Sequence, residues 1–205
     1  MRSVLVTGGT TRLGKAIADH LAERGWRVVR SSHRPDAGAD AVADLAREGG
    51  ADALFAAVCG ILGEPPDAIV NNAALYVTCK DAAAVAAVNC RAPMRLAALL
   101  ARTGGAVVNI LDAAVDGSNA DRNAYTRAKF ALAGFTTAEN AEFGGALRIN
   151  GVAPGAVLSP VGMHEKAPPL PFGRPKPCDV ACAVESLLDS SANRQILPVT
   201  RPLGG

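Results

Sequence analysis

A parallel α/β sheet covered by helices on both faces is the architecture this sequence predicts, and three observations predict it. Apolar runs of strand length alternate with helical patterns from Ser3 to Val199. The first run, Val4-Leu5-Val6, passes through the glycine-rich turn Thr7-Gly8-Gly9-Thr10-Thr11-Arg12-Leu13-Gly14 straight into an amphipathic helix. The composition is 49% apolar, with 21 glycines and 4% aromatic residues, which suits close packing of helix on sheet.

The elements follow in order. Ser3 to Thr7 reads as strand, Leu13 to Arg24 as helix and Arg27 to Ser32 as strand. A short strand at Ala41 to Asp44 precedes a helix at about Ala51 to Leu62. Strand Ala68 to Asn71, helices across Ala82 to Arg102 and strand Ala106 to Leu111 come next. A long helix is expected over about Asn123 to Phe143, then strand Leu147 to Val152, a helix at Asp179 to Leu188 and a last strand near Gln195 to Val199. Together they predict about seven strands in a doubly wound, Rossmann-type sheet. The link from Ser32 to Ala41 is too short for a crossover helix, since parallel neighbours usually need about a dozen residues. Either an extended loop replaces the helix, or the short strand is misplaced. The Pro- and Gly-rich stretch from Pro154 to Pro177 falls at the carboxyl ends of the strands and reads as a short, stiff substrate loop.

The 205 residues suffice for a single domain, 1–205, with a sizeable core. A formal net charge of +2 with scattered basic residues argues against a nucleic-acid face or a membrane-surface patch. The five cysteines, Cys59, Cys79, Cys90, Cys178 and Cys182, lack metal-ligand spacing and read as reduced thiols, so no metal is expected. No signal peptide is expected and no run long enough to cross a bilayer, which makes the cytoplasm the expected location.

Three segments carry chemistry. In the N-terminal turn, Gly8, Gly9 and Gly14 let backbone approach a pyrophosphate, and the helix behind them offers free N–H groups and a positive dipole end. At the end of the second strand, Ser32-His33-Arg34 holds no acid to bind a ribose diol. Arg34 and His33, helped by the Ser32 hydroxyl, suit a ribose 2′-phosphate, so NADPH is expected over NADH. Asp44 either accepts a hydrogen bond from an adenine amine or caps a helix. Far along the chain, Tyr125 and Lys129 stand one helical turn apart. A free phenol has a pKa of about 10, and a nearby ammonium lowers it, which would fit Tyr125 for proton donation.

With these segments in view, the chain resembles the short-chain dehydrogenase/reductase family over nearly its whole length. The carriers are the turn Thr7 to Gly14, Asn71-Asn72-Ala73-Ala74, Asn89 in Asn89-Cys90-Arg91-Ala92-Pro93, Tyr125 with Lys129, and Arg148-Ile149-Asn150-Gly151-Val152-Ala153-Pro154-Gly155. The resemblance implies a Rossmann-type NAD(P)-binding domain, a small-molecule substrate and a homo-oligomer, tetramer or dimer. It implies catalytic roles for Tyr125, Lys129 and Asn89, the last holding a water that links Lys129 to solvent. It places Thr10, Leu13, Leu45, Asn72, Ala73, Ala74, Pro154 and Gly155 among the cofactor contacts.

Two departures narrow the likeness. Arg12 replaces a common glycine, and Asp112 replaces the usual catalytic serine thirteen positions before Tyr125. This pairing is similar to the pteridine reductase branch, as are His33-Arg34 and Tyr76. That branch implies a flat pterin held between an aromatic ring and the nicotinamide, with Arg12, Tyr76, Asp112 and Tyr125 as substrate contacts and Arg12 also reaching a cofactor phosphate. The expected activity is reduction of a dihydropterin to a tetrahydropterin with NADPH. The alternatives are a carbonyl reductase of another small metabolite and a non-catalytic nucleotide-binding member.

Overall fold

Apolar side chains alternate across the pleat of the central strands, so each strand feeds two cores. The computed structural model describes residues 1–138, 143, 145–157 and 174–202. Seven strands form one sheet: β1 (Ser3–Val6), β2 (Arg27–Ser32), β3 (Ala41–Val42), β4 (Ala68–Asn71), β5 (Gly105–Ile110), β6 (Leu147–Pro154) and β7 (Ile196–Val199). Their order is β3-β2-β1-β4-β5-β6-β7, and every pair is parallel. Strand order reverses between β1 and β4, where such sheets open a crevice at their carboxyl ends.

Helices α1 (Arg12–Glu23) and α6 (Pro177–Asp189) cover one face. Their Ile17, Leu21, Val180, Val184 and Leu187 pack on Val4, Val6, Val70, Val108 and Val152. Helices α2 (Gly50–Leu62) and α4 (Ala92–Leu100) cover the other, with Leu54, Val58, Leu96 and Leu100 on Leu5, Ile69, Val107 and Ile149. Burying each such side chain contributes roughly 1.5–3 kcal/mol. Between β4 and α4 lie α3 (Ala82–Ala86) and a π-helical stretch at Ala87–Arg91. Helix α5 (Ala124–Thr137) follows β5.

The short second crossover is real, and β3 is only two residues long rather than Ala41 to Asp44. Ser31 faces Ala41 and Ser32 faces Val42, so β3 starts beside the carboxyl end of β2. The chain therefore has no need to return along the sheet. A 3₁₀ turn at Pro35–Ala37 and Gly38 at φ 63° complete the reversal. Asp40 fastens it, its N–H donating to the Arg30 carbonyl at 3.0 Å and its carboxylate accepting from the Arg30 N–H at 2.8 Å.

Two further expectations need correcting. Helix α5 ends at Thr137 rather than Phe143, because Ala138 is extended at φ −65°, ψ 154°. The Thr136 and Thr137 hydroxyls donate back to the Leu132 and Ala133 carbonyls, a local bond that competes with helix propagation. The continuous run Ala82–Leu100 is, against expectation, long and apolar enough to span a bilayer. Its Val85, Leu96, Ala97 and Leu100 are instead buried within the protein. Most of the proline-rich stretch (158–173) and the last three residues (203–205) lie outside the described residues, and with them the expected short substrate loop.

Candidate active site

The crevice at the reversal point is built on Thr7. Its buried hydroxyl accepts from the N–H groups of Asn72 and Ala73 at 2.9 and 3.0 Å, stitching the end of β1 to the end of β4. The Asn72 amide donates to the Thr7 carbonyl at 3.0 Å. Gly8 sits at φ 65°, and a Cβ there would lie 3.2 Å from both the Ala73 Cα and the Asn72 amide nitrogen. A Cβ on Gly14 would collide with the Gly8 carbonyl and the Asn72 amide. Leu13 packs against the neighbouring core. Asn72, Leu13 and Gly14 thus shape the turn from behind, whereas Gly8 and Thr10 line the cleft itself.

Arg12 begins α1 at φ 51°, a left-handed conformation that favours glycine and costs a larger residue about 1 kcal/mol or more. The Thr11 N-cap of α1 makes no side-chain capping bond. A helix start without a side-chain cap suits an anion through its dipole.

The cleft has a volume of about 180 Å³. Of the expected cofactor residues it gathers Gly8, Thr10, Ser32, His33, Arg34, Asp44, Leu45, Ala73 and Ala74. His33 and Arg34 are exposed at its rim, and the Ser32 hydroxyl accepts from the Arg34 N–H at 3.1 Å. Asp44 caps no helix, since α2 starts at Gly50. One of its oxygens accepts from the Ala46 N–H at 2.9 Å, and the other stands 3.4 Å from Arg47. Pro154 and Gly155 do not line the cleft. The Pro154 carbonyl accepts from Ala113 at 2.9 Å and the Gly155 N–H donates to Val199 at 2.9 Å, which places them beside the Asp112 segment. Thr11, Ser31, Ala43, Ala46, Leu75 and Val88 also line the cleft and were not expected there. Thr11 is visible within the glycine turn, but the apolar residues carry no local signal.

A second group adjoins the first through Leu75, which lines the cleft and packs on Tyr125, Cys90, Val85 and Ala128. The Tyr125 hydroxyl donates to Asp112 Oδ2 at 2.7 Å. Asp112 Oδ1 accepts from the Ala114 N–H at 2.8 Å. Tyr76 packs edge-to-face on Tyr125, with ring centroids 5.1 Å apart. Helix α5 presents these groups because Asn123 caps it, exchanging hydrogen bonds with Thr126.

Lys129 does not acidify the phenol as expected. Its buried Nζ donates to the Ile110 carbonyl at 2.6 Å and stands 6.0 Å from the Tyr125 ring centroid. Burial first, and then the Asp112 carboxylate, push the Tyr125 pKa above its ordinary value. Burial lowers Lys129 to about 8, with Asp112 opposing the shift.

Asn89 lies under the cleft wall. Its buried amide accepts from the Leu75 N–H at 2.7 Å and donates to the Leu75 carbonyl at 2.8 Å. These two bonds hold the cleft wall and leave one N–H and one lone pair of the amide for another partner. The segment from Arg148 to Asn150 proves structural. Arg148 donates to the Leu187 and Leu188 carbonyls at the end of α6, and Asn150 bonds Ala192 and Gln195.

Residues 2–169 match a family model described as short chain dehydrogenase. The chain is 30% identical over 217 aligned residues to carbonyl reductase family member 4 of Danio rerio, covering 92% of each. It is 28% identical over 186 residues to 2,5-dichloro-2,5-cyclohexadiene-1,4-diol dehydrogenase of Sphingobium indicum, covering 78% of this chain and 74% of that one. The crystal structure of a 3-alpha-hydroxysteroid dehydrogenase from Pseudomonas sp. B-0831, complexed with NADH, superposes with a TM-score of 0.85 at 26% identity. That likeness covers 96% of this chain and 94% of the other.

Proposed function

This chain belongs to the short-chain dehydrogenase family, an NAD(P)-dependent oxidoreductase by that membership, and on that premise we propose that it is an NADPH-dependent reductase acting on a pterin-like ring with Tyr125 as proton donor. The observation that carries the reading is the Tyr125–Asp112 hydrogen bond of 2.7 Å, with the Tyr76 ring packed edge-to-face on Tyr125.

The cofactor cleft fits a dinucleotide. Gly8 and Gly14 stand where a Cβ would crowd the turn, the amino end of α1 carries no side-chain cap, and Ser32, His33 and Arg34 line the rim beyond β2. These residues, with Arg12 on the phosphates, would hold the nucleotide. When bound, NADPH supplies the hydride. Arg34 and His33 favour the 2′-phosphate form because the Ser32-His33-Arg34 segment that ends β2 holds no acid.

The protein's own part is proton delivery and orientation. At neutral pH Tyr125 carries its proton, because burial and Asp112 both disfavour the phenolate. Asp112 holds that proton in a hydrogen bond until the hydroxyl turns to substrate, and its remaining lone pairs can accept an N–H from a flat heterocycle. Tyr76, 37% exposed, offers a ring face worth about 1 kcal/mol in stacking. Lys129 contributes a positive end near the phenol, and Asn89 fixes the wall that separates the two groups.

A second reading is favoured by one observation, the relative named a carbonyl reductase at 30% identity. In it the substrate is a ketone, Tyr125 protonates its oxygen, and Asp112 stands in for a serine. The two readings divide on substrate. Consumption of NADPH on adding dihydrobiopterin or dihydromonapterin supports the first. Turnover of a ketone panel with no pterin turnover rejects it in favour of the second. Tight NADPH binding without turnover on either panel would mark a non-catalytic member.

We place the protein in the cytoplasm as a homo-oligomer, dimer or tetramer. Support for assembly comes from the exposed Met94 on α4 and Phe130 on α5, and sedimentation of the purified chain tests it.

A further inference from the structure

Resting on the reading of Tyr125 and Asp112 as the proton-delivery pair, we infer that Asn119 is a positioning residue for that pair, acting through the turn that holds the Asp112 carboxylate.

The β5–α5 connection is closed by side chains of its own. Asn119 donates from Nδ2 to the Ala114 carbonyl at 2.5 Å and accepts at Oδ1 from the Asp116 N–H at 3.2 Å. Ala114 is the residue whose N–H donates to Asp112 Oδ1. The Asn119 amide therefore holds the carbonyl of the residue whose N–H fixes one oxygen of Asp112, which leaves Oδ2 for the Tyr125 hydroxyl. The Val115 N–H donates to the Asp112 carbonyl at 3.1 Å, completing the turn.

Asn119 also reaches the other partner. Its carbonyl accepts from the Arg122 N–H at 3.0 Å, immediately before the Asn123 cap of α5. The Thr126 hydroxyl, one residue beyond Tyr125, donates to the Ala120 carbonyl at 3.0 Å. One half-buried asparagine thus ties the loop at the end of the strand that presents Asp112 to the start of the helix that presents Tyr125.

Without the Asn119 amide, the Ala114 carbonyl loses its clamp and the carboxylate gains rotational freedom. A carboxylate held by N–H donors is a better hydrogen-bond acceptor in a fixed direction than one that swings. Misplacement of a reacting group by about 1 Å costs on the order of 10²-fold in rate. Ser118 bonds only Asp116 in this loop and serves as the internal control.

The chain has two tyrosines, so tyrosine labelled with ¹³C at Cζ gives two resonances, and Tyr76→Phe assigns them. The Tyr125 resonance is read at pH 8 in wild type and in Asp112→Asn, Asn119→Ala, Asn119→Asp and Ser118→Ala. Asn119→Asp keeps the acceptor and replaces the donor with a charged oxygen, which guards against a variant that fails to fold, while Asn119→Ala removes the donor without adding charge. Both Asn119 variants are expected to shift the resonance toward its Asp112→Asn position, with kcat lowered roughly tenfold to 10²-fold. KM for NADPH should stay within about twofold, and Ser118→Ala should resemble wild type. A Tyr125 resonance unmoved in both Asn119 variants but moved in Asp112→Asn overturns the inference. A resonance unmoved in Asp112→Asn overturns the pairing itself, and the inference with it. Absence of turnover in wild type rejects the proposed function alone, since the resonance needs no substrate.

Discussion

Tyr125 donates to Asp112 at 2.7 Å while Lys129, one turn along the same helix, donates to the Ile110 carbonyl at 2.6 Å. The phenol and the ammonium share a helix but not a partner. Asp112, more than Lys129, therefore sets the state of the phenol.

Tyr125→Phe should lower kcat on the order of 10²-fold or more, the usual scale for a general acid, with the Kd for NADPH little changed. Stopped-flow and equilibrium fluorescence separate the two. Near-normal turnover would remove Tyr125 from the mechanism. Asp112→Ser divides the substrate readings, since retained ketone reduction with lost pterin reduction is expected if Asp112 serves the ring nitrogen.

Lys129 makes stability depend on pH. Its folded pKa of about 8 lies below the ordinary 10.5, so between those values the unfolded chain binds a proton that the folded chain does not. Stability from this group therefore rises with pH across that window, by up to about 1.4 kcal/mol per unit. Tyr125, shifted upward, contributes the opposite slope above its ordinary pKa of about 10. Urea denaturation at pH 7.5, 8.5 and 9.5 should show the rise in wild type and its loss in Lys129→Met. Parallel curves for the two proteins would mean that the ammonium is not buried.

Arg34→Ala should weaken NADPH far more than NADH, by about tenfold or more, because a phosphate–guanidinium pair is lost only from the former. Titration of both nucleotides checks this. Equal losses would show that Arg34 does not read the phosphate.

Arg12→Gly should separate stability from binding. Relief of the left-handed backbone at φ 51° offsets the flexibility of glycine, so the melting temperature should hold or rise slightly. KM for NADPH should rise several-fold if Arg12 meets the phosphates. A large loss of stability would mean that the unusual conformation is needed by the side chain's contacts.

Much of this was legible in the chain. The alternation of strands and helices, the glycine turn and the Tyr125–Lys129 spacing are local patterns, and local patterns follow from the periods of helix and strand. The pairing of Asp112 with Tyr125 and the gathering of Ser32, His33, Arg34 and Asp44 in one cleft were likewise expected. The work of the amides was not legible. Asn89 reads as a water holder and also clasps Leu75, and Arg148 reads as part of a family signature, yet it caps α6. A side chain's partner depends on which backbone groups the fold leaves unpaired nearby, and those lie tens of residues away.

What the amino-acid order determined by itself is the parallel α/β sheet, the phosphate turn and the helix that carries a phenol and an ammonium, since each depends on neighbours within about two turns of chain. Only the tertiary structure decided where the ammonium points and that an eight-residue link from Ser32 to Ala41 suffices because β3 begins where β2 ends. Burial and long-range hydrogen bonding set those outcomes, and neither is written in the local spacing of residues.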